Sequence, residues 1–152
     1  MYVSELMSTS IVSVQDNDSV EYAARLMSRY GVGSIPVVCG QALCGMLTDR
    51  DIVVRCIAQG KIPKECRAGE IMTGNACCIA PRESISKAVR LMGEHHVRRL
   101  PVVENSRIRG MLSIGDIARA TGSIEDSAFS GRISLKKKTN GTGGKAHLRM
   151  AV

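Results

Sequence analysis

The sequence predicts an α+β fold of two tandem β-α-β-β-α repeats, packed against each other about a pseudo-two-fold axis. Three observations carry that prediction. First, Gly45-Met46-Leu47-Thr48-Asp49-Arg50-Asp51-Ile52 returns 65 residues later as Gly110-Met111-Leu112-Ser113-Ile114-Gly115-Asp116-Ile117. Second, the same offset aligns Glu5, Met7, Ser19, Ala23, Arg25, Leu26, Met27, Val32, Pro36, Val37 and Val38 with identical residues, without a gap. Self-similarity at a fixed period marks a duplicated supersecondary unit. Third, one copy offers only three short strands faced by helices, which is marginal alone. The copies should therefore complete each other, and 152 residues suit two small units fused into one core.

Taken in order, repeat one covers residues 1–60, a linker with Pro63 covers 61–68, and repeat two covers 69–123. Glu5-Leu6-Met7 and Glu70-Ile71-Met72 read as short entry turns. Residues 11–14 and 76–79 read as short strands. Asp18 offers an N-cap with Glu21 three residues on, ahead of an apolar stripe at Val20, Ala23, Ala24 and Met27. Repeat two carries that stripe at Ile85, Ala88, Val89 and Met92, and Gly31 suits the residue that closes the first helix. Runs 35–39 and 43–47 flank Gly40-Gln41-Ala42 as a hairpin, and runs 100–104 and 108–112 flank Asn105-Ser106-Arg107 likewise. A second helix follows in each copy, from Asp49 to about Ala58 and from Asp116 to about Thr121.

Composition excludes several classes of function. Hydrophobic residues make up 44%, enough for an interior, but aromatics are 3% and Trp is absent. Stacking platforms for single-stranded nucleic acid need repeated aromatic faces. The net charge of +7 is unevenly spread. Arg132, Lys136, Lys137, Lys138, Lys145 and Arg149 face no acidic residue in 131–152, and removing them leaves +1 for residues 1–130. The basic character belongs to residues 124–152, whose Gly, Ser, Thr, Asn and Lys composition reads as a flexible tail. Nucleic-acid binding by the folded part is therefore not expected.

The six cysteines (Cys39, Cys44, Cys56, Cys66, Cys77 and Cys78) form no CxxC pair. The N-terminus has no signal-peptide pattern, and no apolar run nears the roughly 20 residues of a membrane span. A reduced, cytoplasmic protein is the expectation, with most cysteines serving as small buried hydrophobes. Cys39 and Cys44 flank the hairpin turn and can lie across from each other. Metal binding needs about four convergent donors, which only His95, His96 and His147 could complete, so no metal is expected. His95-His96 suits the favourable C-terminal pole of a helix.

The twice-written segments Val-Gly-Ser-Ile-Pro-Val-Val and Val-Arg-Arg-Leu-Pro-Val-Val, each followed by a hairpin and by Gly-Met-Leu-Thr/Ser-x-x-Asp, resemble a cystathionine-β-synthase (CBS) domain pair, or Bateman module. The resemblance covers about residues 1–122, with no attached catalytic domain. It implies a regulatory, non-enzymatic module whose inter-repeat cleft binds adenosine-containing ligands such as AMP, ADP, ATP or S-adenosylmethionine. It also implies that Asp51 and Asp116 take ribose hydroxyls, with Thr48 and Ser113 at the ribose-phosphate end. One implied site joins Thr48, Arg50 and Asp51 to Ala76, Cys77, Val97, Arg98, Arg99 and Leu100. The other joins Ser113 and Asp116 to Thr9, Ile11, Val12, Val32, Gly33, Ser34 and Ile35. No other cofactor is implied, and leftover apolar helix faces together with the family's habit predict a homodimer and a regulated partner protein.

The chemistry is consistent with that site and with something simpler. A carboxylate accepts two hydrogen bonds from a vicinal diol, a helix N-terminus offers free N–H groups to phosphate, and Arg50, Arg98 and Arg99 can pair with phosphate oxygens. Yet Thr-x-x-Asp is also a helix cap, with its acid favourable near the N-terminus. Repeat two has Ile114-Gly115 where repeat one has Asp49-Arg50, so Asp51 marks the primary site. Gly45 and Gly110 fit either ligand access or relief of crowding in the sheet. The alternative reading is a thiol- or metal-dependent switch using Cys39, Cys44 and Cys77, or nucleic-acid binding through the basic tail.

Overall fold

The computed structural model of the chain describes residues 1–122; the basic tail expected over 124–152 lies outside them. The elements are α1 (Val3–Leu6), β1 (Val14–Gln15), α2 (Val20–Tyr30), β2 (Ser34–Cys39), β3 (Ala42–Thr48), α3 (Asp49–Asp51, continuing as a π-helical stretch Ile52–Ile57), α4 (Ala68–Ile71), β4 (Thr73–Gly74), α5 (Ile85–His95), β5 (Arg99–Glu104), β6 (Arg107–Ser113) and α6 (Ile114–Thr121). The two hairpins build one sheet in the order β1-β2-β3-β6-β5, with β4 also paired to β3. The α+β architecture expected from the repeat is present.

Each helix forms for local reasons. α2 and α5 bury Val20, Ala23 and Met27, and Ile85, Ala88 and Met92, at the spacing of a 3.6-residue period. Gly31 closes α2 in the left-handed region at φ 63°, as its missing Cβ allows. His96 closes α5 at φ 54°. The cap of α2 is Ser19, whose side chain accepts from the Tyr22 N–H at 3.1 Å; Asp18 instead accepts from the Gln15 N–H at 2.8 Å, tying down the preceding turn. Ser84 caps α5 in the same way, accepting from the Lys87 N–H at 3.2 Å. Ser84→Ala is expected to lower unfolding free energy by about 1 kcal/mol in urea denaturation, with an unchanged slope.

Three other expectations are corrected. Strand 11–14 shrinks to Val14–Gln15, which pairs in parallel with Val37 and Val38. Strand 76–79 reduces to a single bridge between Ile79 and Val102, while β4 forms earlier, at Thr73–Gly74. The last helix starts at Ile114 rather than Asp116, because Ser113 is its cap.

The repeats are joined by exchange of their entry segments. α1 belongs to the second copy's core, where Val3 is buried among Ile79, Ile85, Ala88, Met92, Leu100 and Leu112. α4 belongs to the first copy's core, where Ala68 and Ile71 are buried among Val14, Val20, Ala23, Met27, Ile35 and Leu47. The hydrogen bonds obey the 65-residue offset on both sides. Val3 and Ser4 N–H donate to Glu83 and Pro81 carbonyls at 2.9 Å each, while Ala68 and Gly69 N–H donate to Asp18 and Asp16 carbonyls at 2.8 and 2.9 Å. Ser8 bridges Met111 on β6, and Thr73 pairs with Met46 on β3. This reciprocity is the pseudo-two-fold relation. β3 and β6 meet directly only where Ala42 faces Arg107, so the swapped segments carry much of the seam.

Those segments explain two glycines. A Cβ on Gly45 would sit 2.4 Å from the Thr73 carbonyl oxygen, and one on Gly110 would sit 2.7 Å from that of Ser8. Of the two readings of these glycines, crowding by the neighbouring backbone is the one realised.

Candidate functional site

The two Thr/Ser-x-x-Asp motifs lie at equivalent helix starts, and each forms a closed reciprocal cap. Thr48 Oγ1 accepts from the Asp51 N–H and Asp51 Oδ2 accepts from the Thr48 N–H, both at 3.0 Å. Ser113 Oγ accepts from the Asp116 N–H at 3.1 Å, and Asp116 Oδ2 accepts from the Ser113 N–H at 2.9 Å. Ser113 Oγ also donates to Asp116 Oδ2 at 2.6 Å. The helix-cap reading is thus realised in full. It occupies one carboxylate oxygen of each aspartate.

The other oxygen points to an arginine farther along the helix. Asp51 Oδ1 lies 3.7 Å from Arg55 Nε, and Asp116 Oδ1 pairs with Arg119. The aspartate side chains keep 12% and 21% of their exposure, whereas the arginines keep 50% and 75%. Half-exposed pairs of this kind are worth little and exchange readily for another partner. Arg55 also donates to the carbonyls of Ile71 and Met72 at 3.2 Å each, so it links the first aspartate to the swapped α4. Neither arginine stands out in the sequence beyond its spacing of four or three residues from an aspartate, a pattern common on any helix.

The backbone places the pre-proline segments beside these caps. Ser34 pairs with Thr48, and the Asp49 N–H donates to the Gly33 carbonyl at 2.9 Å. Arg99 pairs with Ser113, and the Ile114 N–H donates to the Arg98 carbonyl at 2.9 Å. Each cap therefore has the pre-proline segment of its own repeat next to it, a neighbour the sequence reading assigned to the other copy's site. Gly33 matters here: a Cβ on it would lie 3.1 Å from Asp49 Oδ2. Arg50, Arg98 and Arg99 are exposed, Val32, Gly33, Ser34 and Val97 half-buried. Ile35 and Leu100 are fully buried in the two cores, so only their main-chain groups can face a ligand.

Of the remaining candidates, Thr9 follows Ser8, which is bridged to Met111 two residues before Ser113. Thr9 is exposed, and Ile11, Val12, Ala76 and Cys77 are half-buried. The difference between the sites survives folding: Arg50 adds an exposed cation beside Asp51, and Gly115 adds none beside Asp116.

Two cavities flank the seam and are themselves related by the offset. One, of about 300 Å³, is lined by Ser13, Gln15, Val38, Arg107, Ile108 and Arg109 among others. The other, of about 240 Å³, is lined by Leu43, Cys44, Asn75, Ala76, Cys78 and Val103 among others. Ala76 is the one site candidate that lines either.

The cysteines divide into three kinds. Cys56 and Cys66 are buried, as expected, and burial followed by the hydrogen bond to Glu70 pushes the Cys66 thiol up to about 11. Cys77 is half-buried, and burial, then the neighbouring Cys78 and Glu94 charges, raise its thiol. Cys39 and Cys44 are joined as a disulfide, so the expectation of a wholly reduced chain is corrected for this pair. Among the described residues no cluster of metal-ligating side chains forms, and no helix is long and apolar enough to cross a membrane.

Comparison with known proteins agrees with the duplicated architecture. The CBS domain family model matches twice, over residues 3–57 and 68–123. The CBS domain-containing protein YhcV of Bacillus subtilis is 39% identical over 120 residues, covering 76% of this chain and 82% of that protein. Among solved structures, hypoxic response protein I with two coordinated zinc ions superposes with a TM-score of 0.73 at 32% identity, covering 78% of this chain and 98% of the other. CBSX2 in complex with AMP gives 0.70 at 26% identity, covering 82% and 98%. The CBS domain pair of MJ0100 in complex with 5-methylthioadenosine and S-adenosyl-L-methionine gives 0.70 at 26%, covering 80% and 100%.

Proposed function

The chain belongs to the CBS domain family, and from that membership we propose that it is a non-enzymatic sensor of adenosine-containing ligands, acting through a partner protein. The observation that carries the proposal is the pair of equivalent Thr/Ser-x-x-Asp caps. Each leaves one carboxylate oxygen paired only with a solvent-exposed arginine side chain, at the start of a helix. A ribose diol can displace that arginine and donate two hydrogen bonds to the carboxylate. Phosphates then lie near Arg50, whose exposed guanidinium can pair with their oxygens. Aliphatic side chains such as Val32 and Val97 can cover adenine without aromatic stacking. Two similar structures carry AMP and S-adenosylmethionine, which supports this ligand class here.

In this reading the ligand bridges the repeats and shifts an equilibrium between two settings of their seam. That would suit energy sensing, with the charge on the bound phosphates as the signal. A second copy belongs to the same proposal, because α3 leaves Val53, Val54 and Ile57 exposed at 58%, 44% and 53%. The test is calorimetric titration with AMP, ADP, ATP, S-adenosylmethionine and NADH, paired with sedimentation. Saturable binding of at least one adenosine ligand to a dimer is expected; no binding by any of the five would refute the reading.

A further inference from the structure

We propose that Cys39, Cys44 and Cys78 form a thiol–disulfide exchange site at the seam between the repeats, with Cys78 as the third, resolving thiol. The argument starts from a backbone irregularity. On β3, Val37 pairs with Gly45 while Val38 pairs with Leu43, so Cys44 is an extra residue without a partner on β2. On β6, Val102 pairs with Gly110 while Val103 pairs with Ile108, so Arg109 is the extra residue. A bulge re-aims the side chain it carries. Here each one meets the last residue of the preceding strand: Arg109 Nε lies 3.5 Å from Glu104 Oε2, and Cys44 is bonded to Cys39 across a Cα separation of 5.9 Å.

Cys39 and Glu104, and Cys44 and Arg109, are equivalent under the 65-residue offset. The meeting of these two side chains is therefore a property of the bulge, repeated with unrelated chemistry. Repeat two closes its hairpin with a half-exposed ion pair, which no change of redox state alters. Repeat one closes the same position with a bond that exists only when oxidised.

The third thiol is placed by the cavity. Cys44 and Cys78 both line the 240 Å³ space at the seam, and Cys78 is exposed. In the equivalent cavity these places are taken by Arg109 and Ser13, so the exchange chemistry exists on one side only. Cys39 is exposed and Cys44 half-buried, within reach of small reagents, whereas Cys56 and Cys66 are buried. Reactivity follows thiolate character and access.

The chemistry balances in two modes. A small thiol such as glutathione, used twice, converts the Cys39–Cys44 disulfide into two thiols and is itself oxidised to its disulfide. Alternatively, the Cys78 thiolate attacks Cys44 Sγ; the Cys44–Cys78 bond forms, the Cys39–Cys44 bond breaks, and Cys39 leaves as a thiolate that takes up a proton. The second mode needs no net oxidant. It moves the covalent link from within one hairpin to across the seam, beside the Gly45–Gly74 pair. It does not depend on nucleotide binding, and its tests use no nucleotide.

The purified full chain is equilibrated across glutathione redox ratios, alkylated, and digested without reduction for mass spectrometry. Wild type should show a reversible Cys39–Cys44 link, and Cys39→Ser should show an intramolecular Cys44–Cys78 link. A second variant, Cys39→Glu with Cys44→Arg, copies the clamp of repeat two. Reductant should lower the wild-type melting temperature by about 5 °C and leave this variant unmoved. No Cys39–Cys44 link at any ratio, or a Cys44 in Cys39→Ser that pairs only with glutathione or another chain, overturns the proposal. A variant still sensitive to reductant overturns the assignment of the clamp.

Discussion

Alanine at Gly45 is expected to lower unfolding free energy by about 3 kcal/mol, a methyl group's worth of overpacking at its upper range. The backbone conformation is not the reason, since Gly45 does not lie in the left-handed region. The obstacle is the Thr73 carbonyl oxygen, 2.4 Å from the Cβ position, with Met72 Sδ at 2.9 Å. A flexible side chain could turn aside, but a strand backbone cannot. β4 must therefore separate from β3, and with it goes part of the exchange that fuses the two cores. Gly110→Ala should behave similarly, because the Ser8 carbonyl oxygen and Met7 Sδ lie 2.7 and 2.9 Å from its Cβ position. Gly93→Ala is the control with opposite sign: it lies inside α5 with nothing within 4 Å of an added Cβ. Removing a glycine there should stabilise the chain by about 0.5–1 kcal/mol. Urea denaturation of the three variants decides the matter, and a Gly45→Ala loss below 0.5 kcal/mol would show that the seam yields easily.

The seam also marks where the sequence stops being legible. Identical residues at a fixed offset reveal the duplication, and periodicity and turn residues reveal α2, α5 and both hairpins. These are local signals. The exchange of α1 and α4 leaves none: Val3 and Ala68 look like any residues of a short helical turn, and only the assembled cores show which copy they complete. The segments at 11–14 and 76–79 have strand-like composition but form little ladder, because their partners are engaged over only a residue or two. The Thr48–Asp51 and Ser113–Asp116 pairs were visible, whereas Arg55 and Arg119 were hidden by the ordinariness of their spacing. The disulfide was half-legible. Cys39 and Cys44 plainly flank a turn, but the bulge that brings them together is announced only by an odd residue count.

Asp51→Ala is expected to weaken adenosine-ligand binding by about 10- to 100-fold while the fold persists. Two hydrogen bonds from a ribose diol to a carboxylate would be lost, offset in part by the Arg55 pair that the diol must first displace, so that about 1.4–2.8 kcal/mol remains at about 1.4 kcal/mol per tenfold. The structural cost should be smaller. Thr48 Oγ1 still accepts from the backbone N–H of residue 51, so half of the cap survives, and the half-exposed pair with Arg55 contributes little. A loss of about 1 kcal/mol in stability is the expectation. Asp51→Asn separates the roles: its amide oxygen can keep the hydrogen bond from the Thr48 N–H, but the charge that holds the diol is gone. Asp116→Ala should cost less affinity than Asp51→Ala, since Gly115 supplies no cation where Arg50 does. Calorimetry on the three variants reads all of this together. If Asp51→Ala binds as tightly as wild type, the carboxylate is a helix cap and nothing else, and the ligand site must lie elsewhere on the seam.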